Sequence, residues 1–139
     1  MFRVLEQETK DSLTLEVLGK DLNGLFTNAA KGIEALIVDP LSVKKEMVRK
    51  FNTQADDINE LLFKFLSDLI SLKDTYQLVF GSFQIEVSEG ERSLFGSAKG
   101  EVIDRKRHKL KVNIKGLKRQ PLVVKQEGNL WKARVVLEV

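Results

Sequence analysis

The chain has 139 residues, of which 42% are hydrophobic and 31% charged, a composition typical of a globular protein. It has no cysteine, which excludes disulfides, thiolate catalysis and cysteine-ligated zinc, and which fits a reducing cytosol. The length predicts a single domain over residues 1–139. The start, MFRVLEQETK, lacks the apolar region of a signal peptide, and no apolar run is long enough to cross a bilayer. We therefore expect a soluble, cytoplasmic protein with no membrane partner.

Charge is unevenly distributed along the chain, although the net charge is only +3. Residues 1–70 hold 9 basic and 12 acidic side chains, whereas residues 71–139 hold 14 basic and 8 acidic ones. This asymmetry is consistent with an anionic partner for the second half, but a basic solvated face is the preferred interpretation of charge alone.

Two segments have the i, i+3, i+4 spacing of apolar residues that predicts amphipathic helices. The first covers residues 21–39, with Asp21 as the expected N-cap. The second covers residues 56–72, where Asp56 and Asp57 suit the positive N-terminal end of a helix. Apolar residues surround most of the second segment, which predicts its near-complete burial.

The other segments alternate apolar and polar residues, the pattern of half-buried β-strands. The predicted strands cover residues 12–18, 47–51, 78–87 and 109–115, a further strand through Leu94 and Phe95, and a terminal hairpin that joins 121–125 to 130–139. In the strand 109–115, Leu110, Val112 and Ile114 point to one face and the lysines to the other. The predicted fold class is α+β, with two amphipathic helices packed on a largely antiparallel, multi-stranded sheet.

Catalytic motifs are missing from the sequence. His108 is the only histidine, and no serine lies in a G-x-S-x-G motif, so a hydrolase triad is not expected. The G-x-x-x-x-G-K-[ST], H-E-x-x-H and EF-hand patterns are also absent. A lone histidine in a basic loop is more often structural than catalytic. We therefore expect a protein that is not itself an enzyme.

The most basic stretch is RKRHKLKVNIKGLKR, residues 105–119, with eight lysines and arginines and no acid. It has no ring besides His108 on which a base could stack, so direct base readout is not expected. Contact with phosphates remains an alternative to a solvated edge.

Three carboxylates far apart in the sequence, Asp11, Asp39 and Glu138, are candidates for a hard cation, which takes six to eight oxygens from scattered groups. Asp39 follows the first helix, where the negative end of the helix dipole disfavours a carboxylate unless water or a cation neutralises it. Glu138 precedes the last residue, Val139. Spacing alone does not join them, and each is equally a surface acid.

Four stretches in one order resemble the archease family. GKDLNGLFTNAAKGI (19–33) is similar to its G-K-[TD]-L-x-x-L-F-x-N-A-A-x-G pattern, and FKFLSDLISLKDTYQLVF (63–80) is similar to its leucine-rich helix followed by D-T and L-V-F. The basic segment resembles D-x-x-x-H-x-L-K-x-x-[IV]-K, and ARVVLEV resembles the family's terminal strand. The matching positions in the basic segment are Asp104, His108, Leu110, Lys111, Ile114 and Lys115.

The resemblance implies a small cytoplasmic α+β protein that assists the GTP-dependent RNA ligase of tRNA splicing, promoting its guanylylation and turnover. The ligase would be the partner, with tRNA an indirect one, and a chaperone-like role is the family's alternative. The resemblance also implies a divalent-metal site, with calcium as the expected ion.

Carried over by position, the resemblance assigns metal-site roles to Asp11, Asp39 and Glu138, with the terminal carboxylate of Val139 beside them. Asp11 takes the place of the acid in the family's H-T-A-D motif if one residue is inserted, whereas counting back from Gly19 without a gap gives Ser12. Glu138 stands where the family usually has Asp. The same resemblance puts three basic-segment residues on a partner- or phosphate-facing edge, namely Lys115, Lys111 and His108.

Overall fold

Two helices pack with two antiparallel sheets in the structure, a computed structural model that describes residues 1–5, 9–119 and 122–139. The α+β prediction is confirmed, with the strands divided between two sheets. The elements in chain order are β1 (Phe2–Val4), β2 (Ser12–Gly19), α1 (Leu22–Ile37), a 3-10 turn (Pro40–Ser42), β3 (Met47–Gln54), α2 (Ile58–Tyr76), β4 (Leu78–Ser88), β5 (Ser93–Val102), β6 (Gly116–Leu117), β7 (Val123–Glu127) and β8 (Leu130–Glu138).

Both helices begin at an aspartate cap, which is Asp21 for α1, as predicted, and Asp57 for α2, one of the two acids predicted to suit that helix end. The Asp21 side chain accepts a hydrogen bond from Gly24 N at 2.7 Å, and the Asp57 side chain accepts one from Glu60 N at 2.8 Å. Each bond satisfies an N–H that has no partner within the first turn of its helix. The helix α2 ends at Gln77, which adopts a left-handed conformation at φ 58° and donates its N–H to carbonyls of the last turn.

The first sheet has five strands, in the order β1-β2-β8-β6 with β7 also paired to β8, and the second has the order β3-β5-β4. All the pairs are antiparallel. A β-bulge interrupts the β4–β5 register between Phe80 and Ser82. The short strand β1 and the two-residue β6 were not predicted, because neither is long enough to show an alternating pattern.

The apolar faces of both helices and both sheets enclose one core. An aromatic cluster lies at its centre, where Phe65 contacts Phe26 and Phe51 with ring centroids 6.3 and 5.4 Å apart. Phe51 also lies edge-on to Phe80, at 6.3 Å. Because Phe51 and Phe80 belong to the second sheet and Phe26 and Phe65 to the helices, these contacts join the layers.

The predicted strand over residues 109–115 is wrong. These residues are irregular, and the short strand β6 begins only at Gly116. Two of their N–H groups bind helix carbonyls instead of a neighbouring strand, since Lys111 N donates to Ile37 O at 2.9 Å and Val112 N to Leu36 O at 3.0 Å. Of the side chains expected to point inward, Ile114 is fully buried but Leu110 is exposed.

The terminal hairpin is confirmed over Val123–Glu127 and Leu130–Glu138, with Gly128 at φ 61° in its turn. The predicted first residue of that hairpin, Pro121, lies outside the described residues. Within the described part of the chain, neither helix is long and apolar enough to span a membrane.

Candidate functional site

Four of the predicted site residues meet where β2 begins and β8 ends, a location that we call the strand-end site (Asp11, Lys115, Glu138 and Val139). Ser12 lies opposite Glu138 in the β2–β8 register, and Val139 N donates to Asp11 O at 3.0 Å. Lys115 N donates to Glu138 O at 2.7 Å. The backbone therefore brings the start of β2, the end of β8 and the basic segment together, with the Lys115 and Glu138 side chains exposed.

Topology directs Asp39 toward the same end of the molecule. The helix α1 follows β2 after a short turn and packs back along it. Sixteen helical residues and eight strand residues both span about 25 Å, so the C-terminal end of α1 lies near the level at which β2 begins. Asp39 Oδ1 accepts a hydrogen bond from Leu41 N at 3.1 Å, and this bond caps the 3-10 turn.

These carboxylates do not form a ready calcium site. Over residues 1–5, 9–119 and 122–139, which include all three predicted acids, no three His, Cys, Asp or Glu side chains are grouped so that they could hold a metal ion. Calcium takes six to eight oxygens, whereas the Asp39 carboxylate is engaged in its own turn. Calcium binding stays a prediction of the resemblance, and no step proposed below uses a metal ion.

The basic segment, residues 105–119, covers the C-terminal end of α1. That helix has no basic residue in its last turn, where carbonyl groups lack partners and the helix dipole is negative. The backbone of Lys111 and Val112 supplies N–H donors there, and Lys111 Nζ lies 3.4 Å from Ala35 O. Part of the charge in this segment therefore has a structural role, because it neutralises a helix end.

Further contacts fix the basic segment to α2. Lys73 is buried in the last turn of α2, and its Nζ donates to Ile114 O at 2.8 Å. Arg119 forms an ion pair with Glu60, and its guanidinium lies 4.1 Å from the centre of the Phe63 ring. The segment is thus irregular in backbone but anchored along its length.

His108 does not face a partner or a phosphate, contrary to the prediction from the resemblance. Its ring is buried, with the residue only 3% exposed. Nδ1 accepts the N–H of Asp104 at 2.9 Å, and a backbone N–H can only donate. The proton of the neutral ring is therefore on Nε2, which lies 3.1 Å from Glu101 Oε2 and donates to it. His108 closes the loop with which the basic segment begins.

Glu101 is the central acceptor of this loop, and sequence reasoning missed it. Besides His108, it accepts hydrogen bonds from Lys44 N and from the Arg107 guanidinium. Burial opposes ionisation of Glu101, but the bonds from Arg107 and Lys44 outweigh it and lower the pKa of the carboxyl. The only indication of this role in the sequence was the position of Glu101, an acid three residues before the run DRKRH (104–108).

A second buried acid, Glu34, lies on the core side of α1. Burial raises its pKa to about 8, against the opposing effects of a hydrogen bond from Phe80 N at 3.2 Å and of the Lys73 charge. Its Oε1 is buried and has no hydrogen-bond partner among the described residues. Glu34 is thus protonated at neutral pH in the folded protein, an unusual state that the sequence pattern did not indicate.

Relatives in sequence agree with this fold and with the order of the motifs. The sequence model of the Archease protein family (MTH1598/TM1083) matches residues 2–139. The chain is 29% identical over 137 residues to the protein archease of Aeropyrum pernix, covering 96% of this chain and 94% of that protein. It is 31% identical over 124 residues to the protein archease of Methanosarcina acetivorans, covering 87% of this chain and 85% of that one.

Solved structures agree as well. The solution structure of Methanobacterium thermoautotrophicum protein 1598 matches with a TM-score of 0.85 and 26% identity, covering 99% of this chain and 98% of the other. The crystal structure of an archease from Thermotoga maritima, described as a possible chaperone, has the same fold, with a TM-score of 0.67 and 15% identity over 97% of this chain and 96% of that one.

Fold and site together define a small α+β protein with a basic surface segment held against its helices. With the family model matched over residues 2–139, the chain belongs to the archease family.

Proposed function

We propose that this protein is a non-catalytic accessory protein of a GTP-dependent RNA-splicing ligase, which promotes guanylylation of the ligase and its turnover in tRNA ligation. The observation that carries the proposal is membership of the archease family over residues 2–139. The spacing of Asp104, Lys111 and Lys115, which matches the family's third motif, supports it.

Lys115 is the residue best suited to act on the ligase. Its backbone is held by Glu138 O, whereas its exposed side chain has no acidic partner among the described residues. An ammonium group on an anchored backbone can be presented to the phosphates of GTP with little loss of backbone freedom. Charge placed in advance near a reacting phosphate stabilises the charge that develops there.

The test is covalent guanylylation of a purified ligase that a known archease stimulates. We expect this protein to increase labelled GMP incorporation, and Lys115→Ala to lower the stimulation at least about tenfold if it supplies transition-state charge. Lys118→Ala is the matched control, since Lys118 is also exposed and also donates its N–H to the terminal strand, to Val136 O. Absence of stimulation by the unmodified protein would contradict the proposal.

A second candidate function is binding of nucleic acid through the basic segment. All eight lysines and arginines of residues 105–119 are exposed, and in the described part of the chain only Arg107 and Arg119 form ion pairs with an acid. Unpaired surface charge of one sign favours a polyanion. The chaperone description of the Thermotoga maritima protein supports a related alternative, in which the same surface contacts other proteins.

Retention of RNA on a filter without any ligase tests this second function. Binding through phosphates is expected to fall steeply with salt, and to fall further when Lys109, Lys111 and Lys115 are replaced by glutamine. The control replaces an equal number of exposed lysines outside the segment, namely Lys20, Lys45 and Lys125. Equal retention by the two triple variants would exclude the basic segment as the RNA-binding surface.

A further inference from the structure

The strand β3 is an edge of the second sheet, because the strand order is β3-β5-β4. Ala55 N donates to Arg92 O just beyond the end of β3. This bond shows which of the β3–β5 residue pairs exchange hydrogen bonds. Pairs that exchange hydrogen bonds alternate with pairs that do not in an antiparallel ladder. The N–H and C=O groups of Val48, Lys50 and Asn52 therefore point away from β5, toward the free edge.

This edge borders a groove rather than open solvent. A groove of about 360 Å³ is lined on one side by five consecutive residues of β3, 49–53, and on the other by one face of α2. The α2 residues have the spacing i, i+3, i+4, i+7, i+8 of a single helical face, and they are Asp68, Ser71, Leu72, Thr75 and Tyr76. A strand edge beside a helix is the geometry that accepts an added strand.

The shape and bonding capacity of the groove specify an extended peptide. Unpaired N–H and C=O groups that alternate along a strand are matched by another extended backbone. Edge strands that must stay unpaired are commonly shortened, bulged, interrupted by proline or given charged side chains such as lysine. Of these features β3 has the charge, in Arg49 and Lys50, but it has eight residues without proline and leaves Val48 59% exposed and Met47 46% exposed.

Charge selects the kind of peptide. Arg49 and Lys50 lie at the middle of the edge, and Lys44, Lys45 and one acid, Glu46, precede it, so the cations are in excess. The acid Asp68 faces Arg49 across the groove, whereas Lys50, on the opposite face of the strand, has no acidic partner among the described residues. Antiparallel pairing of β3 with β3 of a second copy would bring these cations together, and like charges directly opposite one another destabilise a sheet.

We propose that the free edge of β3 and the facing surface of α2 form a docking groove for an extended, acidic segment of a partner protein, which joins the second sheet as a fourth strand. The groove lies on different elements from the strand-end site. The proposal is therefore independent of the function proposed above, and one can fail without the other.

The probe is a fluorescent, end-blocked octapeptide of alternating glutamate and valine, titrated with the full-length protein and followed by anisotropy. We expect saturable binding, at least about tenfold tighter than that of the lysine–valine peptide of opposite charge. N-methylation of alternate backbone nitrogens of the probe removes the donors of the new ladder and is expected to abolish binding. Binding that survives methylation of either set of alternate nitrogens would overturn strand addition. Absence of binding by the unmethylated probe would also overturn it.

Two protein variants locate the site. Lys50→Glu is expected to weaken binding of the probe about tenfold, because it places like charge beside the added strand. Lys99→Glu is the matched control, since Lys99 is exposed on the central strand β5 and lies opposite Val48 but away from the free edge. If Lys50→Glu and Lys99→Glu weaken binding equally, the assignment to this edge is overturned. It is also overturned if the unmodified protein forms a dimer and Lys50→Pro abolishes that dimer, because the edge then pairs with a second copy.

Discussion

The imidazole of His108 donates from Nε2 to Glu101 Oε2 at 3.1 Å, while its Nδ1 accepts the N–H of Asp104 at 2.9 Å. The chain's only histidine is thus held in one neutral tautomer within a closed loop. A second proton on Nδ1 would replace the acceptor that the Asp104 N–H requires. This loop connects the end of β5 to the rest of the basic segment, so His108 fixes the course of the chain at the start of that segment.

Replacing His108 with phenylalanine tests this structural role. The substitution keeps a ring of similar size but removes the acceptor of the Asp104 N–H and one donor to Glu101 Oε2, which retains its hydrogen bond from Lys44 N. We expect the free energy of unfolding to fall by about 1–3 kcal/mol, measured by urea denaturation. Lys109→Ala, at the exposed neighbouring position, is the control and is expected to change it by less than about 0.5 kcal/mol. A neutral His108→Phe variant would show that the loop does not depend on the imidazole.

Glu34 makes the stability of the protein depend on pH. Its folded-state pKa of about 8 lies above the ordinary value of 4.5, so the folded protein holds a proton that the unfolded chain releases between these pH values. The free energy of unfolding is therefore expected to fall as the pH rises from about 4.5 to about 8, by at most about 1.4 kcal/mol per pH unit.

The variant Glu34→Gln cannot ionise, yet it retains an oxygen that accepts the Phe80 N–H. We expect the decline between pH 4.5 and 8 to be smaller in this variant, and its advantage over the unmodified protein to be greatest above pH 8. Urea denaturation of the two proteins at a series of pH values measures the decline and the difference in stability. Glu86→Gln, which alters an exposed acid, is the control. If the free energy of unfolding depends on pH in the same way for Glu34→Gln and the unmodified protein, Glu34 is excluded as the source of that dependence.

The two N-terminal acids of α2 separate the effect of a cap from that of the helix dipole. Asp57 accepts the N–H of Glu60 at 2.8 Å, whereas the adjacent, exposed Asp56 lies outside the helix. We expect Asp57→Ala to lower the free energy of unfolding by about 1 kcal/mol and Asp56→Ala by a few tenths. Thermal and urea unfolding of the two variants measure the difference. Equal losses would mean that only charge matters at this helix end.

Periodicity predicted the helices and most strands because those elements bury one face. Asp21 and Asp57 are caps by local chemistry alone, so the helix starts were predictable from a few neighbouring residues. Periodicity gave a wrong prediction for the basic segment. Leu110, Val112 and Ile114 alternate with polar residues as in a strand, but the N–H groups of Lys111 and Val112 bind carbonyls of α1, which is distant in sequence.

The strand-end site was partly predictable for a similar reason. Strands β2 and β8 pair along the whole of β2, so Asp11 just before the start of β2 and Glu138 at the end of β8 lie close together. The burial of His108 and the importance of Glu101 were not predictable. Both depend on where Arg107 and the Lys44 backbone come to lie, and no local pattern records a contact between β5 and the segment before β3.

Gly100 is required by the close approach of β4 to β5. A Cβ atom at this position would lie 1.9 Å from Val79 O and 2.8 Å from Phe80 Cα, both backbone atoms that cannot rotate away. These atoms adjoin the bulge in β4, so relief would require the two strands to separate. We expect Gly100→Ala to lower the free energy of unfolding by about 3 kcal/mol or more. Gly90→Ala is the control, since nothing lies within 4 Å of a Cβ there, and it is expected to be neutral or slightly stabilising. Urea denaturation measures both variants, and a Gly100→Ala protein as stable as Gly90→Ala would contradict the close packing of β4 on β5.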